Sequence, residues 1–110
     1  MAVTLNAQRT HSTRFCIPVD HPAIPGHFPG NPVVPGVVVL DAIMHAAGEF
    51  LGSHIGLRSL PQAKFPASLR PGESARIDLV VDGDTLRFQV CREETVVASG
   101  RFILGPRFGP

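Results

Sequence analysis

Six of the eleven prolines in this 110-residue chain lie between residues 18 and 35. Proline lacks a backbone N–H and restricts the residue before it, so this segment cannot form a helix or a central strand. Gly26, Gly30 and Gly36 lie within it or directly after it. We therefore expect a long, stiff loop, and long ordered loops in small domains are usually functional.

The length and composition indicate one globular domain that covers residues 1–110. A hydrophobic fraction of 44% is ordinary for such a domain. Ten basic and nine acidic residues give a formal net charge of +1, which offers no general electrostatic basis for binding nucleic acid. The two cysteines, Cys16 and Cys91, are read as lone thiols of a reduced protein.

No segment of the sequence has the pattern of a targeting or membrane-spanning element. Residues 1–15 contain no apolar core of signal-peptide length. The apolar run that starts at Val37 is interrupted by Asp41, His45 and Glu49. We therefore expect a cytoplasmic protein that does not interact with membranes.

The segment after the loop predicts one substantial helix, from residue 36 to about residue 55. Pro35 is well placed for the start of a helix. Apolar residues then cover nearly the whole circumference, namely Val37, Val38, Val39, Leu40, Ile43, Met44, Ala46, Ala47, Phe50, Leu51 and Ile55. A helix that is apolar on all sides is a buried helix.

Alternating apolar residues predict strands on both sides of this helix. One strand, around residues 14–19, precedes the loop, and four antiparallel strands follow the helix around residues 63–69, 77–81, 86–90 and 96–102, before a loose tail from residue 105. Asp82-Gly83 predicts a two-residue hairpin, and a second turn is expected near Glu93-Glu94. One sheet can cover only one side of the helix, so apolar surface on the other side would cost about 25 cal/mol per Å² in water. A second copy can cover it, and we expect a homodimer or a dimer of dimers.

The sequence HFPGNPVVPGVVVLDAI, residues 27–43, closely resembles the signature of the β-hydroxyacyl-[acyl carrier protein] dehydratases of fatty-acid synthesis. In that family an H-F-x-G-x-P-x-x-P-G loop leads into a central helix that carries a glutamate or an aspartate. The step from His27 to Asp41 matches the family spacing, and AKFPASLRPGESARIDLVV is similar to the family's third strand and P-G-[DE] turn. The resemblance implies the α+β hotdog fold, an antiparallel sheet of about five or six strands wrapped around one long central helix.

The resemblance also implies a reaction, the dehydration of a 3-hydroxyacyl thioester on an acyl carrier protein to the trans-2-enoyl thioester. Aspartate as the acid resembles the dehydratase/isomerase branch, although the chain is short for that branch and has His45 where glutamine is common. The compact form is similar to dehydratase-like proteins of aryl-polyene and related polyketide pathways.

The chemistry explains why these residue types are needed. Removing a proton from C2 and hydroxide from C3 requires a base, an acid and a donor to the thioester carbonyl, without a metal or other cofactor. Histidine titrates near pH 6.5, about where a base is useful, so His27 suits that role. Asp41 suits the acid, because burial on an apolar helix favours a protonated carboxyl. The N–H of Gly36, at the free N-terminal end of the helix, is the expected donor.

Further roles come with the resemblance. His27 of one subunit is expected to face Asp41 of the other across the dimer interface, beside an acyl tunnel. His45 is expected to orient Asp41, although the two could instead form an ordinary i,i+4 pair worth a few tenths of a kcal/mol. The residues expected to line the acyl pocket are Phe28, Pro29, Val33, Val34 and Pro35.

Three alternatives remain open at this point. The chain could be a thioesterase on the same fold, in which an acid activates water, or a non-catalytic subunit that binds acyl thioesters. His27, Asp41 and His45 also form a set of two imidazoles and a carboxylate that iron or zinc can use, although this ignores the surrounding Pro/Gly motif.

Overall fold

The computed structural model of the chain describes residues 8–22, 24 and 32–106. These residues form one helix and five strands, in the order β1 Arg9–Cys16, α1 Gly36–Leu51, β2 Ile55–Lys64, β3 Ser74–Asp82, β4 Thr85–Arg92 and β5 Thr95–Pro106. The strands form one antiparallel sheet with the spatial order β1-β3-β4-β5-β2. The predicted α+β class, with one helix against an antiparallel sheet, is confirmed.

One face of the sheet packs on one side of α1. Alternate residues of the central strands point to the same face of a sheet, and in β3 and β4 these residues are apolar and buried. They are Ala75, Ile77, Leu79, Val81, Leu86, Phe88 and Val90. The helix supplies Val38, Val39, Ile43, Ala46, Ala47 and Leu51 to the same core. The hydrophobic core therefore lies between the helix and the concave face of the sheet.

The prediction of a helix that continues to about residue 55 is wrong, because α1 ends at Leu51. Gly52 has a φ of 88°, which glycine adopts readily, and its N–H donates to the carbonyl oxygen of Gly48 at 3.0 Å. The chain then turns, and Ile55 begins β2. Ile55 is thus a strand residue.

The prediction that α1 is buried on all sides is also wrong for the single chain. One side of the helix is exposed, and it carries Val37, Asp41, Met44, His45, Gly48 and Glu49. Val37 and Met44 are 73% and 44% exposed, so this side combines apolar and polar surface. We call these six residues the open face of α1.

Two strand boundaries also differ from the prediction. The first strand ends at Cys16, because Pro18 has no N–H to donate to a neighbouring strand. The strand after the helix, β2, ends at Lys64, whereas residues 65–69 were expected to belong to it. Pro66 lies two residues after the end of β2, so the irregular backbone there has the same physical cause.

The turns and the remaining strands agree closely with the sequence. The β3–β4 turn contains Gly83 and Asp84, one position later than predicted, and the turn at Glu93-Glu94 is confirmed.

Cys16 and Cys91 are free thiols. The final strand extends to Pro106, so the first two residues of the expected tail are paired. Among the residues that the structure describes, no helix combines the length and the apolar character needed to cross a membrane.

Candidate active site

The start of α1 is fixed by the backbone on both sides of Pro35. The N–H of Val34 donates to the carbonyl oxygen of Leu69 at 2.7 Å, which ties the loop to the segment after β2. Pro35 is the N-cap, and its carbonyl oxygen accepts from Val38 and Val39 at 2.9 and 3.3 Å. Among the described residues, the N–H of Gly36 has no backbone acceptor, as expected for the first residue of a helix.

Gly36 lies in a cleft of about 350 Å³ that we call the Gly36 cleft. Val33 and Val34 line it together with Phe65, whereas Pro35 caps the helix and is not part of the lining. The Phe65 ring packs against Gly36, because a Cβ on this glycine would come 3.2 Å from Cζ of the ring. Of the five residues expected to line the acyl pocket, Val33 and Val34 therefore lie in the same cleft as Gly36, the predicted donor.

The segment that carries Phe65 is held by contacts further along it. The N–H of Arg70 donates to Oε1 of Glu73 at 2.7 Å. The guanidinium of Arg92 donates to the carbonyl oxygen of Ser68 and lies 3.7 Å from Glu73. These bonds tie the irregular segment to β4 and so keep Phe65 over the helix N-terminus.

Asp41 lies on the open face of α1, in a second cleft of about 440 Å³ that we call the Asp41 cleft. The polar end of this cleft is formed by Asp41 and His45. Its other lining residues are Met44, Ala47, Gly48, Leu51, Ile55 and Leu57. The carboxyl group therefore stands at one end of a cleft between the helix and β2, and apart from His45 the other lining residues are apolar.

The predicted pairing of His45 with Asp41 is not what the structure has. Nε2 of His45 lies 3.7 Å from Oε1 of Glu49, one turn further along the helix. Both side chains are highly exposed, at 79% and 72%. Residues at i and i+4 are neighbours on a helix surface in both directions, so His45 can reach either carboxylate and takes the C-terminal one. In the single chain His45 does not orient Asp41.

Gly36 and Asp41 face different clefts although they belong to one helix. Five residues of an α-helix correspond to a rotation of about 140° and a rise of about 7.5 Å. The expected carbonyl donor opens into the Gly36 cleft, and the expected acid opens into the Asp41 cleft. The predicted donor and the predicted acid therefore lie in separate clefts of one chain.

The loop residues of the predicted site, His27, Phe28 and Pro29, lie outside the described residues. Their roles stay predictions. Within the described ranges, no group of three or more His, Cys, Asp or Glu side chains is arranged to hold a metal ion.

Sequence reasoning missed Phe65 and Gly48, which line the two clefts. Phe65 was read as one residue of an alternating strand, and nothing in that pattern marks its contact with Gly36. Gly48 carried a usable signal, because a glycine inside a helical pattern needs a packing or functional reason.

A family model described as the ApeI-like family, ApeI dehydratase, matches residues 4–101 of the chain. The chain is also similar to the 3-hydroxyacyl-[acyl-carrier-protein] dehydratase FabZ of Novosphingobium aromaticivorans, with 30% identity over 115 aligned positions that cover 96% of this chain and 67% of the relative. FabZ of Caulobacter sp. strain K31 is 32% identical over 75 residues, covering 60% of this chain. The chain spans 46% of the length of that relative, about half.

Solved structures give a consistent result. A chain of the dehydratase heterocomplex ApeI:P from Xenorhabdus doucetiae superimposes with a TM-score of 0.78 at 26% identity, covering 89% of this chain and 88% of that one. A probable thioesterase from Bartonella henselae has a TM-score of 0.66 at 18% identity, covering 92% and 98%, which shows a shared fold alone. The family match, which includes the loop and helix that carry the candidate site, leads to one conclusion: the chain belongs to the ApeI-like family of hotdog-fold dehydratases.

Proposed function

We propose that this protein dehydrates 3-hydroxyacyl thioesters to trans-2-enoyl thioesters in a site shared by two subunits. The observation that carries the proposal is the separation of Gly36 and Asp41 into two clefts of one chain. A donor and an acid that face apart within a subunit can meet only if each cleft is completed by another subunit. The family signature around both residues supports the same reaction.

The chemistry divides among three groups. His27 takes the C2 proton while the thioester carbonyl oxygen accepts a hydrogen bond from the N–H of Gly36. Asp41 of the other subunit gives its proton to the C3 hydroxyl, which leaves as water as the C2–C3 double bond forms. His27 then returns a proton to Asp41 through solvent, and the site is restored.

The second subunit also supplies the environment that the acid needs. Asp41 is exposed to water in the single chain. Val37 and Met44 are exposed beside it, and a copy that covers them also removes Asp41 from water. The proposed partner is a second copy of this chain. Because the Xenorhabdus relative was solved as a heterocomplex, a different chain is the second candidate for that position.

The proposed substrate is bound to an acyl carrier protein, as the names of the FabZ relatives suggest. Turnover of a carrier-bound 3-hydroxyacyl group is expected to exceed that of the same group on coenzyme A at equal concentration. Equal rates for both would contradict a carrier-specific enzyme.

The activity is tested by following enoyl absorbance and free thiol in one reaction with a 3-hydroxyacyl thioester. We expect enoyl formation without thiol release, and its loss by at least about a hundredfold in His27→Ala and Asp41→Asn, the range of one acid–base group. His54→Ala and Glu94→Gln are matched controls at exposed positions and keep the wild-type rate. Thiol release without enoyl would instead support a thioesterase, and neither signal would support a binding subunit.

The sharing of the site between subunits needs a separate experiment. Mixing inactive His27→Ala with inactive Asp41→Asn protein, under conditions that allow subunit exchange, is expected to restore about a quarter of the wild-type rate, because half of the dimers become heterodimers with one intact site each. A site within one chain would give no recovery.

A further inference from the structure

We propose that Gly48 determines the length of acyl chain that the enzyme accepts, because the chain beyond C3 lies over this glycine in the Asp41 cleft. This inference rests on the proposed function. It concerns a residue that takes no part in the proton transfers.

Gly48 has no structural reason to be glycine within the described part of the chain. A glycine in a helix interior is less favourable than alanine by roughly 1 kcal/mol, so its presence needs a cause. A Cβ placed on Gly48 would meet nothing within 4 Å. Its place in the helix, four residues before Gly52, is inside α1 and not at its cap.

Three other glycines of the chain are explained by contacts or backbone angles within the fold itself. A Cβ on Gly36 would crowd the Phe65 ring, and one on Gly100 would collide with the carbonyl oxygen of Gln62. Gly52 has a positive φ. Gly48 has neither a crowded Cβ position nor a positive φ. The space next to its α-carbon is therefore kept free for a group that is not part of this fold.

The position of Gly48 relative to Asp41 points to the substrate. Seven residues are almost two full turns, so Gly48 lies on the same side of α1 as Asp41, about 10 Å further along the axis. Both residues line one cleft, which is polar at Asp41 and His45 and apolar beyond them. When Asp41 reaches the C3 hydroxyl, the carbons that follow C3 enter that apolar part and pass over Gly48.

The size of the cleft favours an alkyl chain over a helix of the second subunit. A helix with its side chains is about 10–12 Å across. The Asp41 cleft has a volume of about 440 Å³, which is too small to admit such a cylinder and lies within the usual range for small-molecule sites. Its far wall, formed by Leu51, Ile55 and Leu57, is aliphatic and suits methylene groups.

The test compares 3-hydroxybutanoyl and 3-hydroxydecanoyl pantetheine thioesters with wild-type, Gly48→Ala and Gly48→Leu protein. Gly48→Leu is expected to lower kcat/KM for the decanoyl substrate by about 10–200-fold, the range that a mismatched apolar pocket produces, and to leave the butanoyl value within about twofold. Gly48→Ala is expected to give a smaller shift in the same direction. Ser53→Leu adds a leucine at an exposed position just after the helix, which does not line the cleft, and keeps the wild-type ratio.

The melting temperature of Gly48→Ala distinguishes a role of Gly48 in substrate binding from a purely structural role. Gly48→Ala removes a helix-interior glycine without a clash, so its melting temperature is expected to rise by about 4–8 °C while its decanoyl activity falls. A fall of both would mean that Gly48 is needed for folding, and would overturn the inference.

Two further outcomes would also overturn it: equal losses for both substrates, or a weaker dimer in Gly48→Ala at unchanged chain-length ratio. The inference can be tested even if the proposed reaction fails. Calorimetric binding of saturated butanoyl and decanoyl pantetheine thioesters needs no turnover, and Gly48→Leu is expected to weaken only the decanoyl one. A wild type that binds both thioesters but forms no enoyl would refute the dehydratase alone.

Discussion

The ring of Phe65 lies against the α-carbon of Gly36, so that a Cβ added there would be 3.2 Å from Cζ and 3.3 Å from Cε1. This contact joins the irregular segment after β2 to the first residue of the helix. It gives Gly36 a structural reason to be glycine, besides the close access proposed for a thioester carbonyl. The two reasons can be separated, because only one of them depends on Phe65.

We expect the effects of substitution at Gly36 and Phe65 to be coupled. Gly36→Ala alone forces the ring aside, whereas in a Phe65→Ala background the added methyl meets open space. The double-mutant cycle, measured by denaturant unfolding, is expected to give a coupling free energy of about 1 kcal/mol. Equal costs of Gly36→Ala in both backgrounds would show that the contact is energetically silent. Gly36→Ala keeps the backbone N–H, so loss of activity in both backgrounds would support a close approach of the substrate to Gly36.

Gly100 is expected to be the least tolerant glycine of the sheet. An added Cβ would collide with the carbonyl oxygen of Gln62 and lie 2.7 Å from Cζ of the buried Phe88 ring. Neither the backbone nor a buried ring can move freely, so Gly100→Ala is expected to lower the free energy of unfolding by about 1–3 kcal/mol. Gly48→Ala is the matched control and does not destabilise. A stable Gly100→Ala protein would mean that β2 can shift away from β5.

Charge on the open face of α1 is expected to weaken the dimer. Val37→Glu places a carboxylate where a second copy is proposed to pack, so the dissociation constant measured by sedimentation should rise by roughly tenfold or more. Val19→Glu is the matched control, because Val19 is 71% exposed against 73% for Val37 and lies outside the helix. If both variants and the wild type sediment alike, the open face is not the interface.

The stabilisation that the Asp78 carboxylate provides is expected to be lost below about pH 4. Partial burial by itself would raise the pKa of this carboxyl, but hydrogen bonds from Ser12 and Arg76, together with the Arg76 charge, outweigh it and lower the pKa. The bonds to Asp78 are 2.6 Å from Ser12 Oγ and 3.0–3.1 Å from Arg76 Nε. A lowered folded pKa means that the stabilisation is complete above the unfolded value near 3.9 and is lost as the pH falls through the folded pKa.

The measurement is the free energy of unfolding of wild type and Asp78→Asn between about pH 6 and pH 2. Their difference should be constant at the upper end and shrink below about pH 4. Ser12→Ala, which removes one cross-strand bond, is expected to cost about 0.2–1 kcal/mol at neutral pH. A difference that is independent of pH would show that the Asp78 carboxyl is not stabilised in its charged form.

Local signals account for the elements that the sequence predicted well. Pro35 marks the start of α1, because its fixed φ and missing N–H suit that position. Alternation in residues 77–81 and 86–90 locates β3 and β4, because each strand buries one face against the helix. The predicted boundaries are wrong where the apolar pattern continues past the end of an element. Gly52 ends the helix before the predicted residue 55. The strand predicted at residues 63–69 lies mostly before residue 65, because β2 ends at Lys64.

The candidate site divides in the same way, into residues that a local motif marks and contacts that depend on distant parts of the chain. The sequence alone predicted Gly36, Asp41, Val33 and Val34 as candidate site residues, because a motif fixes residue types and spacing along the chain. It did not reveal the contact of Phe65 with Gly36, the pairing of His45 with Glu49, or the free space above Gly48. These depend on how β2 and the segment after it fold back on the helix. The spacing of residues along one helix or strand is a local property of the sequence. The clefts, in contrast, are formed by side chains from elements that are distant in sequence. For this reason only the tertiary structure decided which groups share a cleft and which face apart.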